Sequence, residues 1–275
     1  MTNTILPLKP LIVWSGVKED EIQYFDKYLP SRNGYSKTAP FTCEEMNLYI
    51  DPFVGAAATY FHIRPPRAVL SDIYRELIVF YREISNGKAQ EIYQFMKEHA
   101  NEEDMYYRVR DQIQITTSLD VACKFYYLRK TCYMGLNRYN KRGNFIIPYG
   151  NYDTIDYEDI KSVDYSKLLC GSKIIYESFE EIFALYNDPS YFMFLNPPYD
   201  TAFINYNKCI FGEKEHRRLA ELFKQTKNKC LIVVGKTQLI IELYSEYIVE
   251  EYETINSEQN GDELNTVRHV IIKNW

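Results

Sequence analysis

The chain has 275 residues, is 46% hydrophobic and carries a formal net charge of −6 at pH 7, so it is long enough to bury a full core and is not a protein that holds nucleic acid by overall charge. No apolar run approaches the ~20 residues of a membrane span, and "MTNTILPLKP" lacks the basic start and long apolar stretch of a signal peptide. Six cysteines without a C-x-x-C pair read as reduced thiols inside a cell, and four histidines without ligand spacing argue against a structural zinc or a histidine-based active site.

In chain order, "LYIDPFVGAAATYF" (48–61) predicts a short strand that turns at Asp51-Pro52, with Gly55 and three alanines opening a helix. Small residues at such a turn let a ligand approach the backbone, and the helix N-terminus favours a polar cofactor group. "RAVLSD" predicts a second strand. The following helix should carry Ile73, Leu77, Ile78, Tyr81 and Ile84 on one face, with Ser71 or Asp72 as its cap. Asp72 then stands at the tip of the second strand, where nucleotide-type sites hold ribose hydroxyls; an N-capping role fits the same position equally well. Residues 79 to about 120 are polar and helical in pattern and read as an insertion.

Between Asp120 and Asp153 there is no acidic residue, while Lys124, Arg129, Lys130, Arg138, Lys141 and Arg142 alternate with aromatic side chains. Charge alone would make this a solvated face; mixed with tyrosines and phenylalanine on an acidic body, it fits a confined nucleic-acid contact. Further on, "SKIIYES" (172–178) predicts a strand, "SFEEIFALY" a helix, and "FMFL" a strand buried on both faces. The last runs into "NPPY". Neither proline can donate a ladder hydrogen bond, so a rigid loop follows at the carboxyl end of a central strand, where open α/β sheets bind ligands. There Asn196 should present both amide functions and Tyr199 an aromatic face, which suits a flat heterocycle. A helix around "EHRRLAELFKQ", a strand "CLIVVG" (230–235) and a hairpin of "EYETINS" and "RHVIIKN" around "EQNGDE" complete a mostly parallel sheet with one antiparallel element.

Five stretches in order resemble the Dam-type (D12 class) adenine-specific DNA methyltransferases. "LIVWSGVK" is similar to the family's W-x-G-G-K, "DPFVGAA" to E-P-F-x-G-x-G, "SDIYREL" to D-I-N-x-x-L, "CYMGLNRYNKRGNFIIPYGNY" to Y-N-G-L-x-R-x-N-x-x-G-x-F-N-x-P-x-G-x-Y, and "NPPY" to [DN]-P-P-Y. The fourth is the most specific. The resemblance implies an α/β, Rossmann-like S-adenosylmethionine-dependent methyltransferase sheet with a terminal β-hairpin, formed by residues 1–78 and 157–275. A helical and β-hairpin DNA-recognition insertion, residues 79–156 with a basic hairpin at 129–152, lies between them. It implies methyl transfer from S-adenosylmethionine to the 6-amino group of an adenine flipped from double-stranded DNA, with GATC as the target.

By the same resemblance Asn196, Pro197, Pro198 and Tyr199 are catalytic. Trp14, Lys18, Phe53, Gly55, Asp72, Phe179 and Asn196 bind the cofactor. Arg129, Tyr133, Met134, Leu136, Arg138, Asn140, Lys141, Arg142, Pro148 and Tyr152 bind DNA, with Arg138 reading a guanine and Lys141 and Arg142 meeting phosphates. Neither metal nor membrane is expected, the chain should be a monomer or weak dimer, and it should work in the cytoplasm of a prokaryote or an infected host cell. Val17, Ala57, Tyr74, Met134, Arg129, Ile146 and "VVGKTQ" depart from the family pattern. They leave a DNA-binding module without turnover as the alternative to an enzyme.

Overall fold

The computed structural model describes residues 7–14, 16, 18–30, 42–43, 45–140, 143–199, 205–206, 209–256 and 265–275. Runs rich in Val, Ile, Leu, Phe and Tyr become strands because branched and aromatic side chains fit a pleated, buried surface. These are β1 (Leu48–Asp51), β2 (Ala68–Asp72), β3 (Ser172–Tyr176), β4 (Tyr191–Leu195), the short pair β5 (Asn205–Tyr206) and β6 (Cys209–Ile210), β7 (Lys229–Gly235), β8 (Ile248–Asn256) and β9 (Asn265–Lys273). The main sheet has seven strands in the order β3-β2-β1-β4-β7-β9-β8. The first five are parallel; β9 pairs antiparallel with β7, and β8 with β9. The helices are α1 (Ile22–Phe25), α2 (Ala58–Ile63), α3 (Arg75–Ser85), α4 (Ala89–Glu98), α5 (Glu103–Asp111), α6 (Ser118–Thr131), α7 (Val163–Cys170), α8 (Phe179–Leu185), α9 (Glu213–Gln225) and α10 (Gln238–Tyr244).

Period-two alternation divides the central strands between two cores. Tyr49, Leu70, Phe192, Phe194, Leu231 and Val233 face the side covered by α3, α6 and α7. Ile50, Val69, Met193, Leu195, Ile232 and Val234 face the side covered by α8, α9 and α10. Coverage of both faces is why these strands are almost uninterruptedly apolar. Truncating a wholly buried ring such as Phe192 removes ~3–5 kcal/mol of stability.

Three expectations need correction. The third helix begins at Arg75 without a side-chain cap, and Ile73 precedes it with its side chain exposed, so Ile73 is not part of the buried face. Asp72 does accept the Tyr74 amide at 3.0 Å, but through a turn before the helix. The boundary drawn at residue 78 falls inside the continuous helix α3, which packs on the insertion helix α6, so the insertion shares a core with the sheet. Among the described residues, the 129–152 segment does not form a regular β-hairpin: residues 129–131 finish α6, and isolated antiparallel bridges, Cys132 to Tyr149 and Tyr139 to Phe145, link the two arms. Gly135 and Gly143, with φ of +60° and +82°, turn the chain where a ladder would need extended backbone. Helix α6, which leads into this segment, starts from a capping box, in which Thr117 accepts the Asp120 amide and Asp120 accepts the Thr117 amide.

Among the described residues, Cys123, Cys132, Cys170 and Cys230 are free thiols. No described helix is long and apolar enough to cross a membrane. The terminal turn "EQNGDE" lies outside the described residues.

Candidate active site

The carboxyl ends of β1, β2, β4 and β7 share one edge of the sheet, because parallel strands all point the same way. At the end of β1 the buried Asp51 accepts the Phe53 amide and the Tyr49 hydroxyl, each at 3.2 Å. The turn that follows needs left-handed backbone at Gly55 (φ +44°) and Ala57 (φ +59°). At Ala57 that conformation costs ~1–2 kcal/mol, since a Cβ crowds the next carbonyl. A Cβ at Gly55 would stand 3.0 Å from Trp14 Cδ1 and Nε1, so the glycine lets the indole lie against the turn.

Asp72, half-buried at the tip of β2, accepts the Gly55 amide through Oδ2 at 3.2 Å and the Tyr74 amide through Oδ1 at 3.0 Å. Burial pushes both Asp51 and Asp72 up to about 7; for Asp72, the hydrogen bond from Gly55 pulls partly the other way. The Tyr81 hydroxyl donates to the Gly55 carbonyl at 2.8 Å, holding the turn from below. Beside it, Phe53 stacks on Phe179 with centroids 5.5 Å apart, and Phe211 meets both rings, at 5.6 and 5.7 Å. On the other flank Trp14 packs edge-on against Tyr74 at 5.4 Å and against Phe125 of α6 at 6.3 Å.

At the end of β4, Asn196 Nδ2 donates to the Gly16 carbonyl at 3.0 Å. The two amide functions are therefore not both open. The tether turns Oδ1 the other way, and among the described residues Oδ1 accepts no hydrogen bond. Pro197 is buried, and Pro198 and Tyr199 are half-buried. Tyr199 lies with its ring against Gly235 at the end of β7, where a Cβ would meet the ring at 3.7 Å. Lys18, 2% exposed, donates to both Glu21 carboxylate oxygens at 2.9 Å and to the Tyr199 hydroxyl. Its ammonium thus joins Tyr199 to Glu21. Among the described residues no cluster of His, Cys, Asp and Glu could hold a metal ion.

In the 132–152 loop, Tyr133, Met134, Arg138, Pro148 and Tyr152 are exposed and Leu136 and Asn140 half-buried, so these side chains share one accessible loop. Met134 has φ +51°; its amide donates to the Tyr152 hydroxyl at 2.8 Å, which donates in turn to the Cys132 carbonyl at 3.2 Å. Arg129 departs from the expectation. It is 2% exposed, donates to the Gly135 carbonyl at 3.1 Å and lies over the Phe145 ring at 4.8 Å. A side chain enclosed in this way supports the loop from within and offers no surface to DNA. Val17, Lys141 and Arg142 lie outside the described residues.

A family model for D12 class N6 adenine-specific DNA methyltransferases matches residues 14–259. The chain belongs to this family. Among its relatives, the type II methyltransferase M.CviBI of Paramecium bursaria Chlorella virus NC1A is 47% identical over 275 residues, covering 98% of this chain and all of that one. The type II methyltransferase M.MjaIII of Methanocaldococcus jannaschii is 29% identical, covering 80% of this chain and 81% of its own. The DNA adenine methylase of Haemophilus influenzae is 26% identical, covering 86% and 83%. The protein is thus a DNA adenine methyltransferase on a Rossmann-like α/β sheet.

For this D12 methyltransferase, sequence reasoning placed Asp72, Gly55, Phe53, Phe179 and Asn196 on the sheet edge where the structure has them. It missed Asp51, Tyr81, Phe211, Glu21 and His269. Asp51 was legible as a carboxylate at a strand end. Tyr81, Phe211 and His269 carry no local signal, because the partners described above lie far along the chain, and Glu21 joins a local partner, Lys18, to a distant one, Tyr252.

Proposed function

We propose that the enzyme transfers a methyl group from S-adenosylmethionine to the exocyclic nitrogen of an adenine flipped out of duplex DNA, within GATC. The observation that carries the reading is the Asn196 tether: with Nδ2 held by the Gly16 carbonyl, Oδ1 stands as a fixed acceptor at the end of β4. The residues present suit the cofactor. Asp72 offers a half-buried carboxylate to hydroxyl donors, and the Phe53, Phe179 and Phe211 rings form an apolar wall for a flat base. When bound, S-adenosylmethionine supplies an electrophilic methyl group on a sulfonium.

An adenine amino group is a poor nucleophile because its lone pair is delocalised into the ring. Asn196 Oδ1 and the Pro197 carbonyl each accept one amino hydrogen, which draws the nitrogen toward tetrahedral geometry and localises that lone pair. Tyr199 stacks on the base and offsets part of the few kcal/mol that flipping costs. Positioning by a rigid proline loop does most of the work. Arg138 reads a guanine, and Tyr133, Met134, Leu136, Pro148 and Tyr152 meet the neighbouring bases, their exposure on one loop supporting the assignment. The type II names of relatives support a role beside a restriction endonuclease.

The test is transfer from radiolabelled S-adenosylmethionine to duplexes that contain GATC or a scrambled site. Label in N6-methyladenine from GATC alone is expected. Tight DNA binding without any transfer would replace the enzyme by a binding module.

A further inference from the structure

We propose that His269 of β9 is a positioning residue for adenine methylation, holding the Tyr199 ring in place by accepting the hydrogen bond that its phenolic hydroxyl donates. The inference rests on the reading of Tyr199 as the ring that receives the flipped base.

Counting protons directs the hydrogen bonds. An ammonium has three donors and no acceptor. Lys18 places its three on Glu21 Oε1, Glu21 Oε2 and the Tyr199 hydroxyl. The Tyr199 oxygen is therefore an acceptor toward Lys18, and its own proton points to His269 Nε2, 2.9 Å away. His269 must then be neutral, with its proton on Nδ1, which lies 3.5 Å from Thr254 Oγ1.

The surroundings keep it neutral. His269 is 3% exposed, and burial, followed by the Lys18 charge, lowers its pKa to about 4, while Glu21 at 3.7 Å acts the other way. The Tyr252 ring stacks on the imidazole at 5.0 Å and 14°, and the Tyr252 hydroxyl donates to Glu21, closing the network. No titration of His269 thus interrupts the clamp near neutral pH.

Strand pairing aims the clamp. His269 is opposite Gly235 in the β7–β9 ladder and opposite Tyr252 in the β8–β9 ladder. Gly235 lies beneath the Tyr199 ring. One position on β9 therefore sets both the backbone under the ring and the acceptor at its hydroxyl. A phenol bonded only to Lys18, whose long stem has several rotatable bonds, would be less well fixed.

A mutant cycle with holoenzyme and duplex DNA tests this. His269→Phe keeps a ring on Tyr252 but removes the acceptor; His269→Gln restores an acceptor close to the Nε2 position; Tyr199→Phe removes the proton and keeps the stacking ring. The measurements are kcat, the KM for S-adenosylmethionine, the fluorescence of 2-aminopurine at the target base and the thermal midpoint. We expect His269→Phe and Tyr199→Phe each to lower kcat about tenfold, with the KM for S-adenosylmethionine unchanged and the flipping signal reduced. The double variant should lose no more than either single one, and His269→Gln should recover most of the rate. Independent, multiplying losses in the double variant, or wild-type kcat in His269→Phe, would overturn the proposal. Should His269→Phe not fold, Tyr199→Phe combined with His269→Gln completes the cycle: a loss from Tyr199→Phe that is unchanged by the glutamine supports the clamp, and an intact rate in Tyr199→Phe overturns it. Tyr199→Ala separates the two readings. Full turnover in that variant removes the base-stacking assignment and the clamp with it, whereas an inactive Tyr199→Ala beside an unaffected His269→Phe removes only the clamp.

Discussion

Asp72 Oδ2 accepts the Gly55 amide at 3.2 Å, tying the tip of β2 to the turn that leaves β1. One carboxylate thus shapes the turn and faces the edge where ligand hydroxyls would bind. Asp51 and Asp72 both rise to about 7 from an ordinary carboxylate value because burial disfavours the charged form. A carboxyl whose folded pKa lies above its unfolded value contributes stability in full below about pH 4, and that contribution is lost as pH climbs through about 7. The thermal midpoint of the ligand-free protein should fall between about pH 4 and pH 7, and Asp72→Asn should flatten part of the fall. Hydroxyl donors prefer the carboxylate, so affinity for S-adenosylmethionine should rise as the folded carboxyl ionises, by about tenfold from pH 6 to pH 8, and become independent of pH in Asp72→Asn. Calorimetry at several pH values measures both; an unchanged pH slope in the variant would remove Asp72 from the cofactor site.

Asn196→Ala should lower kcat by about 10²–10³-fold, the scale for loss of one aimed polar group at a reacting centre. The side chain is half-buried at a loop tip, so its loss opens no core cavity and the thermal midpoint should shift little. Radiolabel transfer alongside a melting curve separates the two effects. Activity within twofold of wild type would end the assignment of Oδ1 as acceptor.

Arg138→Ala should relax discrimination at the guanine by ~1–3 kcal/mol more than it weakens general DNA binding. Lys141→Ala should weaken all duplexes alike and flatten the log-log salt dependence by about one unit. Sequencing of methylated random duplexes, with binding titrations at several salt concentrations, reads both. A recovered motif without guanine immediately before the adenine would show that Arg138 does not read that base.

Arg129→Ala should behave as a stability variant. It removes a cation enclosed over Phe145 and leaves the buried Gly135 carbonyl without its donor, a loss of ~1–3 kcal/mol. A chemical denaturation curve should show the midpoint fall, and DNA affinity at a temperature where the variant is folded should stay within about twofold. Strongly reduced affinity with unchanged stability would return Arg129 to the DNA surface.

Much of this protein is legible in its sequence. Strands buried on both faces declare themselves as unbroken apolar runs, which is why β4 and β7 were visible as "FMFL" and "CLIVVG". Proline stops and small-residue turns are local chemistry too, and they located the Asn196 loop, Gly55 and Asp72 on one edge. What local pattern does not contain is the partner of a polar side chain. Lys18 meets Tyr199 across 181 positions of sequence, and Tyr199 meets His269 across 70, so neither bond leaves a periodicity to read. Arg129 looked like a surface cation because charge usually stays in water, yet packing closed over it once Phe145 and the Gly135 carbonyl supplied a ring face and an acceptor. The antiparallel insertion of β9 beside β7 likewise follows from sheet pairing, and it is that register which carries His269 to Tyr199 in the proline loop.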